Sequence, residues 1–221
     1  MMHIIVICEG ETEQEFCQKT LSRHLAPYNI TIGSPIIGKS RGGIVKWSSL
    51  KNQITAHLRQ ATRSYVTTLI DYYGIETKHE FPEWEESKSI VNKEERMDFL
   101  EGRMKADINN DIQHRFIPYI QLHEFEGLLF NRIDLFDEVF EEDEIKGKDE
   151  LERVFHEFDN PEMINNGKET SPSHRLERII EGYDKVVYGN ILAEKIGIEH
   201  IRNKAPRFNH WIETLIALGT R

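Results

Sequence analysis

The sequence comprises 221 residues with a formal net charge of −10, because 38 Asp and Glu residues outnumber 28 Lys and Arg residues. The length predicts one large domain or one domain with a sizeable appendage, and the negative charge argues against tight, non-specific binding of nucleic acid unless metal ions, a local basic strip or a basic partner offset it. No window approaches the roughly 18 consecutive apolar residues of a membrane span, and the first residues lack the pattern of a secretory signal, so we expect a cytoplasmic protein without membrane association.

The first predicted element is a strand at residues 4–8, where five apolar residues, Ile-Ile-Val-Ile-Cys, follow one another. Such an uninterrupted run is typical of a strand buried on both faces of a parallel sheet. Glu9 follows directly and is expected at the carboxyl edge of that sheet. Thr12 and Glu15 have the spacing of a capping box, which predicts that a helix begins at about Thr12. The two cysteines, one in this strand and one in this helix, are expected to be reduced core residues.

A short second strand is predicted near residues 30–37, and a glycine-rich loop at 38–43 follows it. The loop carries two cations, but its residue order is not that of a Walker phosphate-binding motif. Apolar residues then recur at intervals of three and four between 47 and 61, which predicts a helix that crosses back over the sheet.

The segment 65–70 is rich in β-branched residues and predicts a third strand. This strand ends at Asp71, which places a second carboxylate at a strand terminus. Asp71 followed by Gly74 also fits a type I turn, so this carboxylate has a purely structural alternative.

Charge rises and the apolar signal thins between residues 75 and 110, which indicates a helical insertion in which Asn92 has the type and position of a helix N-cap. A fourth strand is predicted over residues 116–122. Pro118 interrupts it and, because proline lacks the N–H that a strand ladder requires, predicts an edge position or a bend.

Only helical patterns follow residue 130. Strands and helices alternate before that point, so the sequence predicts an α/β fold with a central, mostly parallel, four-stranded sheet flanked by helices. We expect residues 1–130 to form this core, with the helical insertion at about 75–110. Residues 131–221 are expected to form a helical C-terminal extension packed on the core.

Acidic residues follow three of the four predicted strands: Glu9 the first, Asp71 the third, and Glu124 and Glu126 the fourth. Each acid alone has an alternative role as a helix N-terminal or turn residue. Because the carboxyl ends of parallel strands share one edge, we expect these positions to converge. Clustered carboxylates raise one another's pKa values unless a cation neutralises them, and hard oxygen ligands favour Mg²⁺ or Mn²⁺. The chemistry that follows is cleavage or transfer of a phosphodiester.

Five further side chains are candidates for binding a substrate phosphate beside these acids. Lys39 and Arg41 lie on the glycine-rich loop, and Lys168, His174 and Arg175 lie near a predicted helix start in the extension. The alternative for the two loop cations is that they are solvated surface residues.

Five blocks of the sequence carry a resemblance. They are Cys-Glu-Gly-Glu-Thr-Glu at 8–13, Asp-Tyr-Tyr-Gly at 71–74, His-Glu-Phe-Glu at 123–126, Ser-Pro-Ser-His-Arg-Leu at 171–176 and Ala-Pro-Arg-Phe at 205–208. Together they resemble the signature of a bacterial family catalogued as domain of unknown function 4276, which is Toprim-like. The joint pattern is specific, although no block alone is, and the resemblance extends over most of the chain.

The resemblance implies a chemistry for the strand-terminal acids. Toprim domains, which topoisomerases, primases and nucleases of the overcoming-lysogenisation-defect type share, bind magnesium through a Glu after the first strand and an Asp-x-Asp after the third. By this resemblance Glu9 is a general acid/base or a metal ligand, and Asp71 is the main ligand. Tyr73 occupies the place of the second Asp, so Glu124 or Glu126 is expected to supply the missing oxygen, and the resemblance does not choose between them.

The leading hypothesis is a Mg²⁺- or Mn²⁺-dependent nuclease that hydrolyses DNA or RNA, as the effector of an anti-phage defence or repair module. One alternative is an interaction subunit of an ATPase complex, because proteins that resemble this family are often encoded beside ATPases, and the acidic segment 137–144 would dock a basic partner. Another is a metal-dependent phosphatase or nucleotide hydrolase, which shares the metal site. The sequence indicates neither the oligomeric state nor the trigger.

Overall fold

Five parallel strands form the centre of the part of the chain that the computed structural model describes, residues 1–38, 43–165 and 167–219. The strands are β1 (Met2–Cys8), β2 (Ile30–Gly33), β3 (Tyr65–Asp71), β4 (Phe116–Ile117) and β5 (Ile120–Gln121). Their order across the sheet is β2-β1-β3-β4. The strand β5 lies on the same side of β3 as β4 and pairs with the last two residues of β3, Ile70 and Asp71. Every pairing is parallel. The predicted α/β class with a parallel sheet is therefore confirmed.

The register brings the ends of β1 and β3 to one edge of the sheet. Cys8 pairs with Leu69 in this register, and the next residue, Glu9, donates its backbone N–H to the Leu69 carbonyl at 3.1 Å. On the other side of β3, Asp71 pairs with Gln121 at the end of β5. Three strands therefore end next to one another, as the rule for parallel strands predicts.

The predicted fourth strand is broken in two at Pro118, at the edge of the sheet. The hydroxyl of Thr68, in β3, fills the gap in the ladder. The Thr68 Oγ1 accepts the N–H of Tyr119 at 3.0 Å, and the Thr68 O–H donates to the carbonyl of Tyr119 at 2.9 Å. The edge position and the bend predicted from Pro118 are thus both present, and the sheet has five strands rather than four because of this break.

Helices cover both faces of the sheet in the described residues. The α-helices are α1 (Glu11–Phe16), α2 (Ser22–Leu25), α3 (Trp47–Gln60), α4 (Trp84–Ser87), α5 (Lys93–Ala106), α6 (Asp134–Val139), α7 (Lys148–Glu157), α8 (Pro172–Ile179), α9 (Val187–Ile196), α10 (Ile198–Lys204) and α11 (Pro206–Gly219). A π-helical turn (Cys17–Leu21) joins α1 to α2. Short 3₁₀ helices are Ala26–Tyr28, Tyr72–Gly74, Thr77–His79, Gln113–Arg115, Phe125–Leu129, Pro161–Met163 and Lys168–Thr170. None of the described helices combines the length and the apolarity that crossing a bilayer requires.

Alternate side chains of β1 enter two different apolar clusters. Ile4 and Val6 pack in one cluster with α1, the 3₁₀ helix Phe125–Leu129 and the C-terminal helices, whereas Ile5 and Ile7 pack in the other with α3 and α5. The period of two along the strand explains this division, since successive side chains point to opposite faces. The C-terminal helices therefore share one buried core with the sheet.

The first helix begins one residue earlier than predicted. Gly10 is its N-cap and Glu11 its first residue. Glu13, rather than Glu15, reaches back to the start of the helix, where its Oε2 accepts the Gly10 N–H at 2.8 Å. The capping box predicted for Thr12 and Glu15 is wrong because Gly10, whose backbone is extended as an N-cap requires, ends the preceding segment and the helix starts at Glu11.

The helix of the predicted insertion begins as expected. Asn92 is the N-cap of α5, and its Oδ1 accepts the N–H groups of Glu94 at 2.9 Å and Glu95 at 3.3 Å. This helix packs over the face of the sheet opposite the C-terminal helices, so the region between β3 and β4 contributes to the second cluster.

Candidate functional site

A cavity of 640 Å³ opens at the carboxyl edge of the sheet. Its charged lining residues in the described part of the chain are Glu9, Glu11, Glu13, Asp71, Glu126 and Lys185. They come from the end of β1, the first turn of α1, the end of β3, the 3₁₀ helix after β5 and the loop before α9. The structure therefore brings three of the four acids singled out in the sequence into one cavity.

Glu9 and Asp71 are joined directly. The Oε2 atom of Glu9 accepts the backbone N–H of Asp71 at 2.9 Å. This contact follows from the pairing of β1 with β3, because each of the two residues comes at the end of its strand. The hydrogen bond uses one oxygen of the Glu9 carboxylate. Its other oxygen, Oε1, lies toward Gly74, where a Cβ atom would be only 3.1 Å away.

The Asp71 side chain fixes the segment after β5. Its Oδ1 accepts the backbone N–H of Phe125 at 3.0 Å, and a second bond runs from the Tyr73 N–H to the His123 carbonyl, also at 3.0 Å. Phe125 lies between Glu124 and Glu126, so the bond to Asp71 brings these two acids to the edge of the sheet. His123 itself adopts the left-handed backbone conformation, with φ at 67°, which turns the chain sharply at the end of the strand.

Glu124 and Glu126 differ in what they contact. Both are buried, but Oε2 of Glu124 accepts the backbone N–H of Ser173, at the start of α8, at 2.9 Å. Glu126 instead lines the cavity with Glu9 and Asp71. The structure thus gives the two acids separate positions, with Glu126 facing the cavity and Glu124 holding α8 beside it.

Glu13 is a further acid at this edge of the sheet, and the sequence does not predict it as a site residue. With Glu9, Asp71, Glu124 and Glu126 it forms a group of five acids. It is buried, and its Oε2 is held by the Gly10 N–H. Its carboxylate is one of the charges that raise the pKa values of Glu9, Asp71 and Glu126. The sequence feature that marks Glu13 is its spacing of three residues from Gly10, the spacing of a capping box. This feature is recognised only when Gly10 is identified as the N-cap.

The pKa values of these acids are raised together. Burial raises the pKa of Glu9 to about 7, the Asp71 N–H opposes the shift, and the nearby Glu13 carboxylate adds to it. Burial, followed by the charges of Glu13 and Glu124, likewise raises the pKa of Glu126 to about 7. The pKa of Asp71 lies well above its ordinary value because of burial and the charges of Glu13 and Glu9. Such shifts indicate a set of carboxylates that repel one another and would be stabilised by a cation.

Lys185 is the one cationic side chain among the described residues that line this cavity. Burial lowers its pKa, but the carboxylates of Glu126, Glu13, Asp71 and Glu124 outweigh that effect and raise it. Lys185 lies on the loop between α8 and α9, and no sequence pattern distinguishes it from other surface lysines. Among the described lining residues this cation faces five carboxylates, those of Glu9, Glu11, Glu13, Asp71 and Glu126, so their negative charge predominates.

The donor chemistry of the cavity fits a hard divalent cation, since its charged ligands are carboxylate oxygens. Two buried polar atoms beside it, Oη of Tyr183 and Oδ1 of Asn190, have no hydrogen-bond partner among the described residues. Asn190 donates through Nδ2 to the carbonyl of Thr12, in the cavity wall. Buried polar atoms without a protein partner commonly form hydrogen bonds with ordered water molecules.

The geometry of the acids is not that of a finished metal centre. Across residues 1–38, 43–165 and 167–219, no three His, Cys, Asp or Glu side chains are already grouped so as to hold a metal ion. A cation in this cavity would therefore require the carboxylates to turn toward a common point.

None of the five side chains predicted to bind a substrate phosphate is found among the described residues that line the acidic cavity. Lys39, Arg41 and the side chain of Lys168 fall outside the described part of the structure. His174 bonds to Ser171 through Nδ1 at 2.8 Å and lines a separate groove. Arg175 is buried and donates to the Thr170 carbonyl at 2.7 Å and to Glu150 at 3.3 Å. Neither His174 nor Arg175 is among the residues that line the acidic cavity.

His123, next to the acids, is engaged in another contact. Its Nε2 lies 2.9 Å from Nζ of Lys93. Burial and the Lys93 charge lower the pKa of His123 to about 4. The imidazole is therefore neutral at physiological pH, and its Nε2 accepts from the lysine rather than binding a ligand in the cavity.

A family model described as Domain of unknown function (DUF4276) matches residues 8–216. The match includes all five acids of the group and the loop that carries Lys185. Comparisons with curated proteins and with solved structures gave no match.

Proposed function

This chain belongs to the family described as Domain of unknown function (DUF4276), and we propose that it is a divalent-metal-dependent hydrolase of phosphodiester bonds, a nuclease, whose active site is the acidic cavity. The observation that carries the proposal is the direct contact of Glu9 with Asp71 at the ends of two adjacent parallel strands, together with three further carboxylates at the same edge. Carboxylates at this edge of an α/β sheet are placed where such folds bind ligands.

Glu9, Asp71 and Glu126 are the residues that would hold the cation. All three line the cavity, and Glu124 is assigned a supporting role because its Oε2 is bonded to Ser173. When bound, Mg²⁺ or Mn²⁺ supplies charge neutralisation, polarisation of the phosphoryl oxygens and activation of a water molecule. Neutralisation of the carboxylates that line the cavity would favour the approach of a phosphate.

The side chains themselves contribute position and proton exchange. The Asp71 N–H donates to one oxygen of Glu9 and so places this carboxylate at the cavity wall, from which it would turn toward a bound cation. A Glu with a pKa of about 7 exchanges protons readily at neutral pH. The resemblance to Toprim domains implies that Glu9 is a general acid/base or a metal ligand.

The resemblance to Toprim domains supports the same assignment of Glu9 and Asp71. It implies a second Asp two positions after Asp71, where this chain has Tyr73. In our proposal Glu126 supplies the carboxylate oxygen that Tyr73 cannot, because Glu126 lines the cavity from the 3₁₀ helix that follows β5. The proposed site is therefore a variant of the Toprim arrangement.

The proposal is tested by incubating the purified protein with single-stranded and double-stranded DNA and with RNA, in the presence of Mg²⁺, Mn²⁺ or EDTA. We expect cleavage that requires the metal and that Glu9→Gln or Asp71→Asn abolishes. Glu11→Gln is the matched control, because Glu11 is exposed at the rim of the same cavity. Activity that persists in EDTA or in the first two variants would overturn the proposal.

The same experiment separates the other candidate activities. Phosphomonoesters and nucleoside triphosphates are assayed in parallel, and turnover of these alone would indicate a phosphatase or nucleotide hydrolase at the same site. A protein that binds neither metal nor nucleic acid, but elutes with the product of a neighbouring ATPase gene, would instead be an interaction subunit.

A further inference from the structure

Lys185 reaches the acidic cavity from a loop whose backbone is anchored. Nδ2 of Asn190 donates to the carbonyl of Val186 at 2.8 Å and to that of Thr12 at 3.2 Å. This ties the residue after Lys185 to the first turn of α1. On the other side of Lys185, Oδ1 of Asp184 accepts the N–H of Val187 at 2.9 Å. The main chain around Lys185 is therefore fixed beside the carboxylates.

The ammonium group of Lys185 is attracted to the acids but not bonded to them. It lines the cavity with Glu13, Asp71 and Glu126, yet in the described residues no carboxylate oxygen forms an ion pair with it within 4.0 Å. The side chain is also exposed. Lys195, ten residues later on α9, differs in this respect, since its Nζ pairs with Glu138 at 3.3 Å.

A lysine in this position neutralises part of the cavity charge without closing the cavity. Glu126, Glu13, Asp71 and Glu124 are the carboxylates whose field acts on it. A divalent cation placed among the same oxygens would repel the ammonium group. Because no ion pair locks Lys185, its flexible side chain can withdraw toward solvent at little cost.

We propose that Lys185 is a tethered counter-ion that partly neutralises the carboxylates in the metal-free protein and is displaced when a divalent cation enters. The proposal rests on the proposed metal site and deepens it, since it names the residue that competes with the metal. Two consequences follow. Removal of the lysine charge should strengthen metal binding, and it should destabilise the metal-free protein, in which Lys185 lines the cavity with the carboxylates.

The test compares wild type with Lys185→Met and with Lys195→Met, which removes the same charge outside the cavity. Titration calorimetry with MgCl₂ and with MnCl₂ measures affinity. We expect Lys185→Met to bind the metal roughly two- to fivefold more tightly, the size of an exposed charge interaction, and Lys195→Met to bind as wild type does. Unchanged or weaker binding by Lys185→Met would overturn the proposal.

A second measurement does not depend on the metal. The melting temperature of the three proteins is recorded in EDTA at pH 8. We expect Lys185→Met to lose more stability than Lys195→Met, because Lys185 lines the cavity with the carboxylates whereas Lys195 pairs with Glu138 outside it. If wild type bound no metal, the proposed function would fail, while equal melting of the two variants at pH 8 would separately refute the counter-ion role.

Discussion

The backbone N–H of Asp71 donates to Oε2 of Glu9 at 2.9 Å, so the last residue of β3 holds the carboxylate that follows β1. The two acids are therefore coupled through the sheet rather than through a flexible loop. Any change that moves the Glu9 carboxylate should alter the cavity while the strands stay intact.

Gly74→Ala should weaken metal binding without unfolding the protein. A Cβ on Gly74 would lie 3.1 Å from Oε1 of Glu9, which is tighter than ordinary van der Waals contact, so the carboxylate must shift. Metal affinity measured by calorimetry should fall, and the circular dichroism spectrum should stay that of wild type. Unaltered affinity would show that the position of Oε1 does not matter for the site.

Gly102→Ala is the control for that substitution. Gly102 lies within α5, and a Cβ there would meet no atom within 4 Å. Alanine in a helix interior is more favourable than glycine by about 0.5–1 kcal/mol, so this variant should be slightly more stable than wild type in urea denaturation, with unchanged metal affinity.

Glu126→Gln should impair metal binding more than Glu124→Gln. Glu126 lines the cavity, whereas one oxygen of Glu124 is used by the Ser173 N–H. We expect roughly a tenfold or greater loss of affinity for Glu126→Gln and a smaller loss for Glu124→Gln. The reverse order in calorimetry would assign the third ligand to Glu124.

The metal-free protein should lose stability as the pH rises through neutrality. The pKa values of Glu9 and Glu126 are raised from 4.5 to about 7 in the folded protein. Between these values the folded state holds more protons than the unfolded state, so the free energy of unfolding falls as pH increases. The melting temperature in EDTA should therefore be lower at pH 8 than at pH 5.5.

Glu101 and Glu162 also have pKa values of about 7, and they too lower the free energy of unfolding as the pH rises, although they do not line the cavity. The contribution of the cavity is isolated by Glu126→Gln, which should show a smaller decline between the two pH values. Added Mg²⁺ should restore the stability of wild type at pH 8. An equal decline in wild type and Glu126→Gln would contradict the raised pKa of Glu126.

Thr68→Val should destabilise the edge of the sheet. The variant keeps the shape of the side chain but removes the hydroxyl that bonds both the N–H and the carbonyl of Tyr119. Both groups are buried, and each unsatisfied group costs about 1–3 kcal/mol. Urea denaturation should show a loss in that range or above, and Thr67→Val would not serve as a control because its hydroxyl accepts from Trp211.

Much of the fold was predictable because it depends on neighbouring residues. The apolar run of β1, the Asn92 cap and the break at Pro118 are local signals, and each is found in the structure. The meeting of Glu9 and Asp71 follows from a general rule, since adjacent parallel strands end at one edge.

Glu13 and Lys185 were missed as site residues for different reasons. The sequence predicts a capping box at Thr12 and Glu15 and therefore a helix start at about Thr12, whereas the helix begins at Glu11 and the Gly10 N–H donates to Glu13. Lys185 carries no local signal. Its position depends on how the helices after residue 130 pack over the sheet, which is set by many distant contacts rather than by the sequence around it.

Titration of Mg²⁺ and Mn²⁺ into wild type, Glu9→Gln, Asp71→Asn and Glu11→Gln is the most direct test of the acidic cavity as a metal site. Gln and Asn keep an oxygen for the Asp71 and Phe125 N–H groups, so the fold should persist in both variants. We predict binding by wild type and Glu11→Gln and a loss of roughly tenfold or more in the other two. Absence of binding in wild type, or equal affinity in all four proteins, would contradict the account.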